Sequence, residues 1–399
     1  MTPDHRKLGR QLELFFFDEL SPGAPFWLPK GMVIFKELER FIREETDSRG
    51  YEETATPTLI KTEIFRQSGH WEHFRQNMFS FEIDGNPYSL KPMNCPESTL
   101  LYRFKTRSYR DLPLRFSELS PLFRRERTGT VGGLFRVRQL TMDDAHVYCR
   151  PDQIKKEIEE MLGLILSLYK KLALPVSFSL ATKPKKSLGK AEDWDDAETQ
   201  LGRALKGRQL KYKTLPKEGA FYGPKIHVDV TDSLGRVWTL ATIQVDFQMP
   251  ARFQLEYVTP EGKGKRPVMI HRAVFGSIER FIGILLEHSG GALPVWLSPV
   301  QAVVIPVSEK YNRYAVESAR KLQGAGIRLK ALIEEGTLSA KVREAELQNI
   351  PYILVVGERE KKEGSVALRL RDGKDLGRKK ITSVEERIQK ISLTRSLAL

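Results

Sequence analysis

Apolar and polar positions follow two different rhythms along this chain, and the change falls near Leu293–Pro299 (LPVWLSP). Before it, helix-spaced and strand-spaced segments succeed one another without βαβ repeats. Ile34, Leu38, Phe41 and Ile42 recur at helical spacing between Met32 and Thr46, and Gly50 supplies a stop. Tyr51–Ile60 reads as a strand that Pro57 confines to an edge or a bulge, a natural place for subunit pairing. Tyr88–Thr99 (YSLKPMNCPEST) pairs a strand with a turn, and Ile154–Leu174 is a helix with apolar i, i+3, i+4 spacing. Phe221–Phe247 predicts a hairpin around DSLG, with Thr242 and Gln244 on one face of its return arm. Pro267–His288 is a strand running into a helix, with His271 near the junction and Arg280 on the helix. Residues 1–28 look like an entry segment. Pro184–Gly219, with the acidic cluster Glu192–Glu198, looks like a surface insertion or mobile loop, and the two histidines of GHWEHF like polar packing. Beyond the junction the order is VQAVVIPV, helix Tyr311–Ala325, IRLKALI, helix Ser339–Gln348, YILVVG. That is a small α/β domain with some parallel pairing.

The densest pattern is Leu114–Cys149, which reads as one long antiparallel hairpin whose joint, RTGTVGG, contains Gly129, Gly132 and Gly133. Centred near Thr130, it sets Arg124 opposite Arg136, and parity assigns faces. One face collects Glu118, Arg124, Glu126, Arg136, Arg138, Asp144 and His146; the other takes Leu119, Phe123, Phe135 and Val137. A charged face in mid-sheet is costly unless a ligand uses it, the plainer alternative being a solvated outer surface.

Composition narrows the partner. The 399 residues carry 65 Lys+Arg against 51 Asp+Glu, a net +14, which favours a polyanion. Residues 297–399 hold 20 of those cations against 13 of the acids, about half of the excess. Cys95 and Cys149 give no disulfide framework and suit a reducing compartment. No apolar run long enough for a bilayer and no signal peptide is read, so the expectation is a soluble, cytoplasmic protein. Neither G-x-G-x-x-G nor G-x-x-x-x-G-K-[ST] occurs, so a nucleotide would be held by side chains on a sheet.

Taken together, KPMNCP, RVRQLTMDDAHVYC, FYGPKI, TIQVDF, PVMIHRAVFGSIERFIGIL and the tail IPYILVVGERE…GKDLG resemble the class II aminoacyl-tRNA synthetases, specifically those for threonine. The resemblance covers nearly the whole chain. It implies an α+β catalytic domain over residues 1–294, an antiparallel sheet flanked by helices, then an α/β anticodon-binding domain over 295–399. The region around Pro57 would pair a homodimer. The resemblance also implies one Zn2+ on Cys95, His146 and His271, a set with open positions for the amino and hydroxyl groups of threonine. A site built around that hydroxyl rejects valine by roughly 10⁴ or more. Asp144, Tyr222, Gln244 and Met93 would complete the amino-acid pocket. For ATP, entering with Mg2+, Arg124 would clamp the α-phosphate, Arg136 the γ-phosphate, Glu126 the adenine amino group, and Arg280 would stack on the purine, with Thr242 alongside. Lys225 would touch ATP or the tRNA end, and Arg343, Glu360 and Arg369 would read the anticodon of the threonine tRNA.

Several positions depart from the family pattern. Glu97 and Ser98 follow Pro96 where Gly-His is common, Leu140 replaces an aromatic, Met142 a glutamine, Arg125 an asparagine and Glu335 an asparagine. The resemblance begins at the catalytic domain, so no editing region is expected in this chain. Discrimination against serine should then reach only about 10–200-fold, giving uncorrected mischarging unless a separate trans-editing protein intervenes. A synthetase-like RNA binder that charges no tRNA, and a synthetase for serine or proline, are the alternatives; the intact arginines oppose the first and the Cys/His/His set the second.

Overall fold

The computed structural model describes residues 4–399. Helix α1 (His5–Gln11) and a short two-stranded ribbon lead into α2 (Pro29–Asp47), which starts on a proline where no N–H is needed. The expected strand Tyr51–Ile60 divides in two: β1 (Glu52–Glu53) joins the main sheet, while Leu59–Lys61 joins a separate three-stranded sheet. Pro57 lies between them, where no ladder hydrogen bond is required. Instead of a turn, Cys95 opens helix α3 (Cys95–Arg103), with Pro96 in its first turn.

The long hairpin is β2 (Leu114–Phe123) and β3 (Gln139–Cys149). There follow α4 (Ile154–Lys171), β4 (Val176–Ala181), α5 (Ala191–Gly207), β5 (Tyr212–Leu215), β6 (Lys225–Thr231), β7 (Val237–Asp246), β8 (Val268–Ser277) and α6 (Ile278–Ser289). The eight strands form one sheet in the order β5-β4-β6-β7-β8-β3-β2-β1, antiparallel except for the outermost pair at each edge. His271 therefore sits well inside β8, not at its junction with α6. The stretch read as a mobile insertion is helix α5, which buries Trp194, Ala197, Leu201, Ala204 and Leu205. Those positions recur every three to four residues, so one apolar stripe packs down while the acidic cluster faces out.

Alternation gives the sheet two unlike faces. Ala145, Val147 and Cys149 of β3, Ile226, Val228 and Val230 of β6, Ala241, Ile243 and Val245 of β7, and Val268 and Ile270 of β8 belong to the large core shared with α2, α4, α5 and α6. The opposite parity of the same strands carries polar chemistry.

The hairpin register is Phe123↔Gln139, and the Arg124 N–H donates to the Arg138 carbonyl at 2.8 Å. Arg124 is thus opposite Arg138, not Arg136, a shift of two that preserves parity within the strands. Outside them parity fails. The joint is two 3-10 turns, Thr128–Thr130 and Gly133–Phe135, and Val137 packs with Leu122 and Leu140 rather than on the helix side.

The second unit is a five-stranded sheet built from β9 (Ala302–Pro306), α7 (Asn312–Gly324), β10 (Leu329–Ala331), α8 (Leu338–Leu347), β11 (Tyr352–Val356), β12 (Ser365–Leu370), β13 (Asp375–Lys380) and α9 (Ile381–Leu393). Its order is β10-β9-β11-β12-β13; β9 runs parallel to both neighbours, as the sequence pattern implies. Arg328 ties it to α2 through Glu37 at 2.9 Å, and Arg371 donates to the Leu293 carbonyl at 2.7 Å.

Candidate functional site

Register on the polar face of the main sheet brings distant residues into rows. Across β3, β8, β7 and β6, His146 pairs with His271, His271 with Gln244, and Gln244 with Lys225. One step along, Asp144 pairs with Ala273, Ala273 with Thr242, and Thr242 with His227. A methyl group in the middle of the second row leaves space above it. Six of these eight side chains were named from the sequence; His227 was not, although it lies two residues past Lys225 and so on the same face.

At one end of the rows Cys95 meets the two histidines. One ligand-type atom from each of Cys95, His146 and His271 lies within 4.8 Å of the others, all three side chains being buried. The imidazoles stand nearly perpendicular, centroids 5.0 Å apart. His271 Nε2 is 3.0 Å from Asp246 Oδ2, and Asp246 is itself fixed by the Gln248 and Met249 N–H groups. His146 Nε2 is buried without a hydrogen-bond partner among the described residues; Asp144 Oδ2 is 3.8 Å away, too far to serve. Burial holds the His146 pKa well below its ordinary value and pushes the Cys95 thiol well above its own. A neutral imidazole with a free lone pair, a buried thiol and a carboxylate-backed second imidazole form a donor set that fits a thiophilic divalent metal. His70 joins this group unannounced: its Nε2 is 3.7 Å from Cys95 Sγ and its Nδ1 2.8 Å from Ser68 Oγ.

The pocket walls are ordered by hydrogen bonds. Asn94 donates to Asp144 at 3.2 Å and accepts from Ser120 at 2.8 Å. Burial raises the Asp144 pKa to about 6. Tyr222 donates to Gln244 Oε1 at 2.7 Å, and its ring centroid is 5.2 Å from that of His271. Met93 is half-buried against the cluster that includes Cys95. Glu118, expected to face a ligand, is instead committed to Lys91 at 2.8 Å and to Thr56. Glu97, among the departures noted, is 1% exposed with neither carboxylate oxygen partnered among the described residues, and burial raises its pKa to about 8.

Next to the pocket opens a cleft of ≈ 390 Å³ on the hairpin joint and the start of α6. Arg124, Glu126, Arg136, Thr242 and Arg280 line it, with Lys225, Gln244, Leu140 and Met142. Arg124 Nε donates to the Pro92 carbonyl at 3.2 Å and Arg280 Nε to the Phe135 carbonyl at 2.8 Å. Arg136 is exposed and pairs with Glu126 at 2.8 Å. Burial lowers the Arg280 pKa first, and the Arg124 and Arg136 charges add to it, so three cations converge with one carboxylate between them. Such a surface suits a polyphosphate. Glu279 ties the cleft to the sheet by accepting the Thr141 N–H at 2.9 Å and the Ser277 hydroxyl at 3.0 Å.

In the second unit Arg343 is exposed on α8 and Arg369 on β12, opposite Ile353 of β11. Glu360 accepts the Gly357 N–H at 3.0 Å and so caps its own helix.

Residues 79–289 match the tRNA synthetase class II core domain (G, H, P, S and T), more than half of the chain, and residues 301–391 match the anticodon binding domain. The chain belongs to the class II aminoacyl-tRNA synthetases. Within them its relatives are those for threonine. It is 49% identical over 374 residues to the threonine–tRNA ligase of Symbiobacterium thermophilum, covering 94% of this chain and 58% of that protein. To the threonine–tRNA ligase of Caldanaerobacter subterraneus subsp. tengcongensis it is 48% identical over 394 residues, 99% of this chain and 61% of the relative. It thus spans about three fifths of the length of the curated relatives it matches. The solved RNA binding domain of threonyl-tRNA synthetase from Cryptosporidium parvum Iowa II superposes with a TM-score of 0.94, at 39% identity over 99% of both chains. A class II core with an anticodon-binding domain is therefore the architecture of this chain.

Proposed function

We propose that this chain carries the activating and tRNA-reading parts of a threonine–tRNA ligase. The observation that carries the reading is the pairing of His146 with His271 beside Cys95, a buried group whose strand neighbours Gln244 and Ala273 line a cleft of three arginines. The class II core and the threonine-type relatives support it.

Cys95, His146 and His271 would hold Zn2+, which when bound supplies a Lewis acid with free positions for the amino and hydroxyl groups of threonine. Asp144 would accept hydrogen bonds from the amino acid, and Tyr222 and Gln244 would close the pocket around it. Arg124 would steady the ATP α-phosphate as the threonine carboxylate attacks and pyrophosphate leaves; Arg136 would hold the γ-phosphate and Arg280 would span purine and phosphates. Glu126, released from Arg136, would bind the adenine amino group, with Thr242 alongside and Mg2+ accompanying the nucleotide. None of these groups acts as a general base: positioning and charge stabilisation supply the rate. The threonyl group then passes from the adenylate to the terminal adenosine of tRNA, near Lys225. A second hollow of ≈ 880 Å³, lined by Arg125, Arg127 and Arg138, shares Glu126 and Arg136 with the cleft and suits that RNA end. Arg343, Arg369 and Glu360 would read the anticodon, with the domain boundary at residues 294/295. Two copies would pair through α2 and the edge strand β1. Among the described residues no helix is long and apolar enough to cross a membrane.

The test is threonine-dependent ATP–pyrophosphate exchange with and without zinc stripping. Exchange that is lost with the metal and regained on its return is expected. No exchange from zinc-loaded protein would turn the reading towards an RNA binder that charges nothing.

A further inference from the structure

His5, at the start of α1, is bonded to a carboxylate 282 residues away. It is 3% exposed. Its Nδ1 donates to Glu287 Oε1 at 2.6 Å, and its backbone N–H donates to the same oxygen at 2.9 Å. Its Nε2 accepts the Leu134 N–H at 3.0 Å. Accepting at Nε2 fixes the neutral Nδ1–H tautomer, since a protonated ring would set N–H against N–H. Glu287 lies in the last turn of α6 and is held on its other oxygen by Arg236, which Asp232 anchors at 2.7 Å. Asp4, His5 and Glu287 also gather three ligand-type atoms. Both ring nitrogens of His5 are already engaged, however, so the group is a clamp and not a cation site.

What the clamp grips is the part of the hairpin joint that no ladder holds. The hydrogen bonds of that segment are local, Phe135 N–H to Gly132 O and Gly132 N–H to Arg136 O, each at 3.1 Å. The His5 ring lies against Phe135 with centroids 4.2 Å apart. Gly133 has φ 52°, and a Cβ there would fall 2.1 Å from His5 Nε2, so this glycine serves both the turn and the approach of the imidazole. The Phe135 carbonyl receives Arg280, and Arg136 is the next residue.

We propose that His5 is a positioning residue for the nucleotide cleft: it clamps Gly133–Phe135 onto α6, so that the Phe135 carbonyl aims Arg280 and Arg136 projects beside it. Without the imidazole the Leu134 N–H loses its acceptor, and the turn is held only by the packing of Leu134 in the core and of Phe135 on Trp238, which fix its place but not its orientation. The two arginines then lose their common geometry while the amino-acid pocket, built on strand register, is untouched. The proposal rests on the reading of this cleft as the ATP site.

The experiment measures ATP and threonine KM in pyrophosphate exchange, and the ATP Kd by calorimetry, for wild type, His5→Ala, His5→Gln and His5→Asn. Loss of one hydrogen bond that orders the turn predicts an ATP KM and Kd raised about tenfold in His5→Ala, with threonine KM within about twofold. Gln, which can still offer an acceptor to Leu134, should recover to within about threefold of wild type; Asn, which keeps the reach to Glu287 alone, should resemble Ala. Gly133→Ala should weaken ATP in the wild-type background and less so in His5→Ala, where the clash with the imidazole is gone and only the strain at φ 52° remains. Equal changes in both KM values, a lower melting temperature with ATP KM unchanged, or recovery by Asn as good as by Gln would each overturn the clamp. If wild type binds ATP but shows no exchange, the functional reading fails by itself, and the clamp is judged on ATP Kd across the same variants.

Discussion

The proposed amino-acid pocket and the proposed nucleotide cleft adjoin each other but are built by different means. Asp144, His146, Gln244 and His271 of the pocket stand on strands, so their positions follow from ladder register: His146 faces His271 because β3 and β8 pair as they do, and Cys95 reaches them from the start of α3. The pocket's chemistry is buried, with two carboxylates, Asp144 and Asp246, beside its imidazoles and an unpartnered Nε2 on His146 among the described residues. The three arginines of the cleft stand on the hairpin joint and on one helix start, beside Lys225, Thr242 and Gln244 of the sheet, and backbone carbonyls of Pro92 and Phe135 aim two of them. There the chemistry is cationic and partly exposed. Rigid register suits discrimination between amino acids that differ by one group, whereas a charged, adjustable surface suits a phosphate chain that enters with its own counter-ion. The two halves should therefore fail separately.

Removing one of the proposed metal donors is the harshest way to break that separation. Cys95→Ser should lose bound zinc and reduce kcat/KM for threonine by about 10³-fold or more, with ATP affinity within about threefold of wild type. Metal analysis and exchange kinetics on one preparation check both statements. Arg280→Ala should cost about 10²–10³-fold in exchange rate while zinc content and threonine affinity stay as they are. A milder cut at the pocket is Asp246→Asn, which weakens the orientation of His271; zinc affinity should drop about 10–100-fold, read by competition with a chelator.

The smallest effect concerns stability. Glu97 has a folded pKa raised from 4.5 to about 8 by burial without donors. Between those values the folded state binds the proton that the unfolded state has released, so stability falls as pH rises through that window. Glu97→Gln should make the slope shallower, leaving the contributions of Asp144 and Glu279, which burial raises to about 6 and about 7, and stabilise the protein at pH 7.5 by on the order of 1–3 kcal/mol. Denaturation midpoints from pH 5 to 8 measure it; an unchanged slope would assign the pH dependence to other groups.

The same contrast governs what the sequence revealed. Parity within β2 and β3 was legible, because period-two alternation survives a register error of two residues. It failed at Val137, where the chain leaves the sheet and local turns replace the ladder. The Cys95/His146/His271 group came from resemblance alone: ligands 51 and 125 residues apart carry no local signal, and their meeting is a product of strand order. Helix α5 hid behind its acidic cluster, although Trp194, Ala197, Leu201, Ala204 and Leu205 were spaced to reveal it. His70 was read as packing. Packed it is, but against the Cys95 thiol of the candidate metal site, and nothing in GHWEHF marks that neighbour.

The most direct test titrates threonine and ATP separately into zinc-loaded and zinc-stripped protein by calorimetry. Two separately built halves predict that stripping abolishes threonine binding and leaves ATP affinity within about threefold. Loss of both affinities together, or threonine binding that survives without the metal, would contradict the account.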